Sequence, residues 1–284
     1  MKVFIHTNSK QELGALVAQA CYHRLGIKNV ELLKLEDDHI LNRRHNKKYL
    51  RDKTWEKYDR NDLQSFTLLR LKAESLSGKE QGYLLTDPDV FPILDPFKSL
   101  KKEFDLQASS LFVCPNKTQS PNLDDGFKSY ATSVFYRSPR EKKALWDYEN
   151  LIEKLFRGEI SYRSLIQFEF LSSSKIGELD DRFNSFDKIE DETILLHNTG
   201  RVTQPWKTGL PIDFVNHKIS KWNRFKKRLF LKRDRYLSHP SKKQEILFFD
   251  NLRYALENNF ITKDYIEYSI RKRFIRPDAL KFLL

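Results

Sequence analysis

The first 115 residues alternate between short apolar runs and amphipathic runs, and this alternation limits the possible folds more than any other feature of the chain. Apolar runs of this length predict strands, and apolar positions at helical spacing predict helices. The predicted strands are residues 3–7, 30–35, 82–86 and 111–114, and the predicted helices are residues 11–25, 66–76 and 96–104. Strands that alternate with helices are typical of a mostly parallel sheet with helices on both faces, so we expect an α/β fold.

The second half of the chain changes character near residue 215. Before that point the patterns predict a strand over 130–136, a helix starting at Ser138-Pro139 and continuing over 140–156, and a short strand over 194–196. Residues 218–235 then hold nine lysines and arginines against one acid, and helical patterns dominate to the end. We therefore expect a first domain of residues 1–214 and a basic helical extension of residues 215–284.

The composition restricts the class of protein and its partners. Hydrophobic residues make up 39% of the 284 residues, which is enough for a sizeable core. The net charge of +12 favours nucleic acid, anionic lipid or phosphorylated substrates as partners. Cys21 and Cys114 lie in apolar settings, which argues against a disulfide framework and for a reducing compartment. No apolar stretch reaches the roughly 20 residues needed to cross a bilayer, so we expect a cytoplasmic protein, at most peripheral to the membrane.

Two aspartates end the predicted strand over 82–86. In Asp87-Pro88-Asp89 they stand one residue apart, so both carboxylates point to the same side, and the proline stiffens the turn between them. Open α/β sheets bind ligands at this carboxyl edge. Paired carboxylates there suit Mg²⁺ or Mn²⁺ carrying the phosphates of a nucleotide. An Asp-x-Asp pair is common by chance, however, and needs support from the rest of the chain.

His197 provides that support. It follows a predicted strand and opens a loop that contains Gly200, Lys207 and Gly209. A lone histidine is more often structural than functional, but glycines allow the backbone to approach a phosphate and lysine supplies positive charge. Imidazole is also a normal third ligand for Mn²⁺ beside two carboxylates.

Together, Asp87-Pro88-Asp89 and the loop from His197 through Pro205-Trp206-Lys207 resemble the retaining family 8 glycosyltransferases, which have a GT-A fold. The opening residues 2–8 and the run over 62–67 also fit this family. The resemblance covers residues 1–214, and the loop that begins at His197 is its most specific part. It implies a GT-A catalytic domain with a mostly parallel mixed sheet, followed by the basic helical extension.

The resemblance implies a metal-dependent transferase that moves a sugar from a nucleotide-diphospho-sugar, by the family's habit a UDP-sugar, to a saccharide or cell-surface glycan acceptor with retention at the anomeric centre. In that case Asp87, Asp89 and His197 hold Mn²⁺, or Mg²⁺, against the diphosphate of the donor. The absence of an obvious nucleophile does not contradict this expectation, since retaining enzymes of this fold need no hydrolase-type carboxylate pair.

The resemblance also implies roles for residues outside the metal site. Thr7 and Asn8, at the end of the first strand, are expected to help hold the base and ribose, and Arg70 to contact the donor. Lys207 is expected to neutralise the departing phosphate, a role that electrostatics favours independently. Gln167 is our candidate for the residue beside the donor sugar.

Two positions depart from the family pattern, and the role of a third is left open. Gln204 stands where the family usually has a lysine before Pro-Trp, and one extra residue follows His197, so we expect Lys207 to reach the phosphates differently. The segment around Gln167 matches the family poorly. Ser133 is a candidate for the acceptor side, although a buried strand serine would show the same pattern.

The basic segment over 218–235 leaves alternatives open. Its cationic residues alternate with apolar ones such as Trp222 and Phe225, so it could lie on an anionic membrane or pack on the core with a solvated basic face. An alternative for the whole chain is a basic membrane- or nucleic-acid-binding scaffold with a degenerate sugar-nucleotide site. Nucleic acid fits less well, because no nucleic-acid module is recognisable. A nucleotidyltransferase would need a lysine or glycine-rich loop after the first strand, and none follows Thr7.

Overall fold

The computed structural model describes residues 1–77, 82–104, 108–116, 129–200, 202–213 and 235–283. The chain forms two compact units, residues 1–197 and residues 198–284. The expected boundary after residue 214 falls among residues 214–234, which lie outside the described residues, so the division into a catalytic domain of 1–214 and an extension of 215–284 stays a prediction.

The first unit is built on a six-stranded sheet with the order β2-β1-β5-β8-β7-β9. Only β8 runs antiparallel to its neighbours, and the other adjacent pairs are parallel, which confirms the predicted α/β fold with a mostly parallel mixed sheet. The strands in the described residues are β1 (Lys2–Thr7), β2 (Val30–Lys34), β3 (Lys48–Leu50), β4 (Trp55–Lys57), β5 (Tyr83–Thr86), β6 (Val90–Pro92), β7 (Leu111–Pro115), β8 (Tyr130–Arg137), β9 (Ile176–Glu178), β10 (Ser185–Phe186) and β11 (Leu195–His197).

Helices accompany the sheet in the first unit and dominate the described part of the second. The first unit contains α1 (Glu12–Arg24), α2 (His39–Asn42), α3 (Ala73–Leu76), α4 (Pro96–Phe104), α5 (Tyr148–Arg157) and α6 (Tyr162–Ile166), and the second contains α7 (Lys242–Glu257) and α8 (Lys263–Arg271). The helix predicted over 66–76 is instead a 3₁₀ segment, Ser65–Leu71, followed by the short α3.

The helix predicted over 140–156 begins eight residues later, at Tyr148, and Ser138-Pro139 does not cap it. The cause is the buried side chain of Arg137, whose guanidinium donates hydrogen bonds to the carbonyls of Ser138, Glu141 and Lys143. Carbonyls bound in this way hold the chain around the arginine and are withdrawn from helical pairing. The helix starts where Asp147 accepts a hydrogen bond from the backbone N–H of Asn150.

Glu74 is the charge that balances Arg137 in the core. Its Oε1 accepts hydrogen bonds from Arg137 Nε at 3.2 Å and from the backbone N–H of Leu145 at 2.8 Å, and its Oε2 accepts one from Tyr83 at 2.9 Å. Burial, together with the nearby Glu74 carboxylate, raises the pKa of the Tyr83 hydroxyl well above its ordinary value, so Tyr83 remains a donor.

We expect Glu74→Ala to lower the free energy of unfolding by about 3–5 kcal/mol, because it leaves the buried Arg137 charge without its partner. Urea unfolding followed by circular dichroism measures this change. Glu159→Ala, at an exposed position, is the control and should change the stability by less than about 0.5 kcal/mol. Equal stability of the two variants would contradict the role of this buried pair.

The topology brings the predicted metal ligands together at one edge. The register of β1 and β5 pairs Ile5 with Thr86, the last residue of β5, so Asp87 follows directly beside the end of β1. A second, three-stranded sheet has the order β10-β11-β6. In it β11 runs antiparallel to β6, and His197 pairs with Val90, the residue after Asp89.

Candidate functional site

Asp87, Asp89 and His197 form a cluster whose candidate ligand atoms all lie within 4.8 Å of one another. His197 Nε2 lies 3.3 Å from Asp89 Oδ1, and the side chains of both aspartates are 18% exposed. The cluster is therefore held in the fold but remains open to a solute. Two carboxylates and one imidazole form a mixed oxygen and nitrogen donor set, which fits a divalent cation.

Asn184 fixes the orientation of His197. Its amide Nδ2 donates to Ser133 Oγ at 3.1 Å, so its Oδ1 faces His197 Nδ1 at 2.9 Å. An imidazole that donates from Nδ1 keeps its lone pair on Nε2, the nitrogen that faces Asp89. This is the arrangement that metal-binding histidines use. Ser133, which we considered for the acceptor side, thus lies beside His197 and contacts its Nδ1 at 3.4 Å.

His6 and Arg70 both contact the first aspartate of the pair. His6 Nε2 lies 3.0 Å from Asp87 Oδ1, and Arg70 donates to the same oxygen at 3.1 Å. Burial favours the neutral acid, but the positive charge of Arg70 and the contact with His6 outweigh it and hold the pKa of Asp87 below its ordinary value. Asp87 is therefore a carboxylate over the physiological pH range.

Asp89 raises the pKa of His197. Burial lowers the pKa of the imidazole, but the carboxylate of Asp89 and, to a lesser degree, that of Asp87 raise it above its ordinary value. The carboxylates of the metal-free cluster thus attract positive charge strongly enough to outweigh the effect of burial on the pKa of His197. A divalent cation would neutralise the same two carboxylates with more positive charge than a proton carries.

A chain of hydrogen bonds runs from the cluster to Ile166, the residue before Gln167. Arg70 donates to Thr132 Oγ1 as well as to Asp87, and Thr132 Oγ1 donates to the carbonyl of Ile166. The next residue, Gln167, ends α6, and its Oε1 accepts a hydrogen bond from the backbone N–H of Tyr130 at 2.7 Å. The structure therefore brings the segment of Gln167 to the same edge of the sheet as Asp87.

Thr7 and Asn8 lie buried at the end of β1. Thr7 Oγ1 donates to the carbonyl of Asn8, and Asn8 Nδ2 donates to Ser65 Oγ at 3.1 Å and to the carbonyl of Asp62 at 3.2 Å. The amide of Asn8 therefore ties β1 to the segment over 62–65, which shapes the edge where a base is expected to bind.

Solved structures similar to this chain are glycosyltransferases. The galactosyltransferase LgtC, in complex with donor and acceptor sugar analogs, aligns over 80% of this chain and 94% of its own, with 12% identity and a TM-score of 0.51. An active-site mutant of LgtC gives the same identity and TM-score over 81% of this chain and 96% of its own. The bifunctional glycosyltransferase WbbM aligns over 96% of this chain at 12% identity and a TM-score of 0.51, but the match spans 51% of WbbM. No protein-family profile and no curated protein sequence matches the chain.

The protein has the GT-A glycosyltransferase fold. This confirms the fold that the resemblance implied. The shared fold covers most of the chain, and the acid pair that follows β5 lies where open α/β sheets bind their ligands.

In the second unit, the loop after His197 is held by its own contacts. Lys207 is fully buried, and its Nζ donates to Asp213 Oδ2 at 2.8 Å and lies 5.3 Å from the centre of the Tyr236 ring. Trp206 stacks on Phe248 of α7 with ring centres 4.7 Å apart. The carbonyl of Gly200 accepts a hydrogen bond from the backbone N–H of Thr203. The binding roles expected of Gly200 and Lys207 stay predictions.

Three residues around the cluster, His6, Thr132 and Asn184, were not predicted from the sequence. His6 could have been found, because it stands one residue before Thr7 on the strand that was predicted to end at the ligand edge. Thr132 and Asn184 carry no local signal, because their roles depend on which strands are neighbours.

The basic segment over 218–235 lies outside the described residues except for Arg235, so membrane binding and packing on the core both stay open. Within the described part of the chain, no helix is both long enough and apolar enough to cross a membrane.

Proposed function

We propose that the protein is a metal-dependent, retaining glycosyltransferase that moves a sugar from a nucleotide-diphospho-sugar, a UDP-sugar, to a saccharide or cell-surface glycan. The observation that carries the proposal is the cluster of Asp87, Asp89 and His197 at the ligand-binding edge of a GT-A sheet. The fold neighbour LgtC, crystallised with donor and acceptor sugar analogs, supports the reaction class.

Asp87, Asp89 and His197 would hold Mn²⁺, or Mg²⁺, and a cation there supplies positive charge beside the diphosphate of the donor. The presence of an imidazole among the ligands favours Mn²⁺ over Mg²⁺, which prefers oxygen ligands alone. Asn184 keeps Nε2 of His197 available, and Arg70 keeps Asp87 ionised.

The remaining predicted residues would act on the donor. Thr7 and Asn8 would bound the pocket for the base and ribose, and the backbone at Gly200 would approach the phosphates. Lys207 would stabilise the negative charge that develops on the leaving diphosphate. Such charge stabilisation lowers the barrier because it is stronger in the transition state than in the bound donor.

Gln167 would lie beside the donor sugar and orient it. An amide cannot supply the carboxylate nucleophile of a retaining hydrolase, so Gln167 itself would not form that type of covalent intermediate. Proton NMR of the first product formed tests the proposed retention, and an anomeric configuration that differs from that of the donor would contradict it.

Thermal unfolding with nucleotides tests the donor site. We expect UDP to raise the midpoint only when Mn²⁺ is present, because a ligand that binds the native state stabilises it by mass action, by about 2.7 kcal/mol at 100 times Kd. GDP, CDP and ADP, each with and without Mn²⁺, are the comparison. A rise with another base would correct the donor, and no rise with any of them would refute the assigned site.

A further inference from the structure

The first unit carries a cleft whose lining residues are separate from the metal cluster. It has a volume of about 490 Å³ and is lined by Arg44, Lys47, Lys48, Trp55 and Phe156. We call these five residues the aromatic–basic cleft. Its volume lies within the range of about 300–1,000 Å³ that is typical of small-ligand sites.

Trp55 is exposed but held in place. The residue is 51% exposed, which is uncommon for so large an apolar group. The edge of the indole packs against Gly158, where a Cβ atom would lie only 2.6 Å from Trp55 Cζ2. Gly158 also ends α5 in the left-handed conformation, with φ at 77°. The glycine therefore provides the space that this position of the indole requires.

The elements that carry the cleft are also fixed. Trp55 lies on β4, which pairs with β3 in a two-stranded hairpin. Tyr49 on β3 packs against Phe156 of α5 and against Tyr162, with ring centres 6.1 Å and 5.8 Å apart. A hairpin anchored by aromatic packing presents a preformed surface, so binding would cost little ordering of the protein.

The charge of the cleft is positive. The guanidinium of Arg44 lies 5.3 Å from the centre of the Phe156 ring and pairs with Glu153. Lys47 and Lys48 are exposed, and neither forms an ion pair within the described part of the chain. The two lysines can attract an anion while the fixed indole packs against an apolar ring face of the same ligand.

We propose that the aromatic–basic cleft binds an anionic oligosaccharide, with a sugar ring against Trp55 and its acidic groups near Lys47 and Lys48. The choice of a saccharide rests on the proposed function, since a glycosyltransferase must hold an acceptor glycan. The single indole and the limited volume favour a few sugar rings over the long aromatic track used for single-stranded nucleic acid.

Tetragalacturonate, a carboxylated oligosaccharide, and a sulfated heparin tetrasaccharide are the probes, with neutral maltotetraose as the matched control. We expect at least one anionic probe to bind more tightly than maltotetraose, as measured by calorimetry and by a change in tryptophan fluorescence. Trp55→Ala should lower this affinity about tenfold or more, since it removes the ring contact. Lys47→Gln and Lys48→Gln should each lower it about two- to fivefold, which is typical of exposed ion pairs.

Two controls separate this site from the donor site. Tyr268→Ala removes another exposed aromatic residue and should leave the affinity unchanged. Asp89→Asn should remove the Mn²⁺-dependent effect of UDP but keep the oligosaccharide affinity, so failure of the donor site and failure of the cleft are distinguishable. The proposal is overturned if neither anionic probe binds, if all three cleft variants bind as the wild type does, or if a single-stranded oligonucleotide binds more tightly through the same residues.

Discussion

Asp89→Asn is expected to reduce glycosyl transfer by about a thousandfold or more and to abolish the Mn²⁺-dependent rise in melting temperature with UDP. The substitution keeps the shape of the side chain but removes the negative charge that faces His197 Nε2 at 3.3 Å. A neutral amide is a much weaker ligand for a divalent cation than a carboxylate. Transfer is measured as release of UDP from UDP-sugars, and cation binding by calorimetry.

The matched control is Asp180→Asn, an exposed aspartate whose contacts include Arg182. It should keep both activity and the thermal response. If the protein were instead a binding scaffold with a degenerate site, the outcome would differ. Its binding to RNA or liposomes would survive Asp89→Asn, and the wild type would show no transfer activity. Full activity in Asp89→Asn would therefore refute the metal-dependent mechanism.

The metal-free Asp89→Asn protein offers an independent readout. Burial lowers the pKa of His197, and Asp89 is the strongest of the groups that raise it. Removing this carboxylate should therefore shift the titration of His197 to lower pH, which NMR of the imidazole measures. With the raised pKa of the wild type, protonated His197 stabilises the fold at low pH, and this contribution is lost as the pH rises through the folded pKa.

Local sequence patterns were sufficient to predict the fold class and several of its strands and helices. Strand and helix periods predicted the α/β fold, and the elements at β5 and α4 lie close to their predicted bounds. The acid pair was recognisable as a candidate metal site only together with the loop that begins at His197, because an Asp-x-Asp pair alone is common by chance. His197 was recognisable from the loop that follows it.

The remaining features depend on contacts between distant segments. The sequence does not show that β8 lies between β5 and β7, and this order places Ser133 and Thr132 beside the cluster. The late start of α5 depends on Arg137, whose hydrogen bonds hold the preceding loop. The pairing of Asn184 with His197 requires β10 and β11 to be neighbours, and no single stretch of the chain encodes that register.

Gly14→Ala is expected to weaken Mn²⁺ binding and transfer by about a hundredfold, although Gly14 is not one of the candidate metal ligands. Gly14 lies on α1, and a Cβ atom there would stand 2.7 Å from the carbonyl oxygen of Pro88. Contacts this short do not occur, so either the helix or the turn between Asp87 and Asp89 must move. A displacement of about 1 Å in a group that positions the reaction can cost about a hundredfold in rate.

Without this close contact, Gly14→Ala would be expected to raise the free energy of unfolding, since alanine is favoured over glycine inside a helix by about 1 kcal/mol. Gly26→Ala is the matched control. It has no atom within 4 Å of the added Cβ, but its φ of 83° makes alanine strained. It should therefore lower the free energy of unfolding by about 1 kcal/mol and leave Mn²⁺ affinity unchanged. If Gly14→Ala stabilised the protein and kept its Mn²⁺ affinity, the close packing of α1 under the Asp87–Asp89 turn would not position the metal ligands.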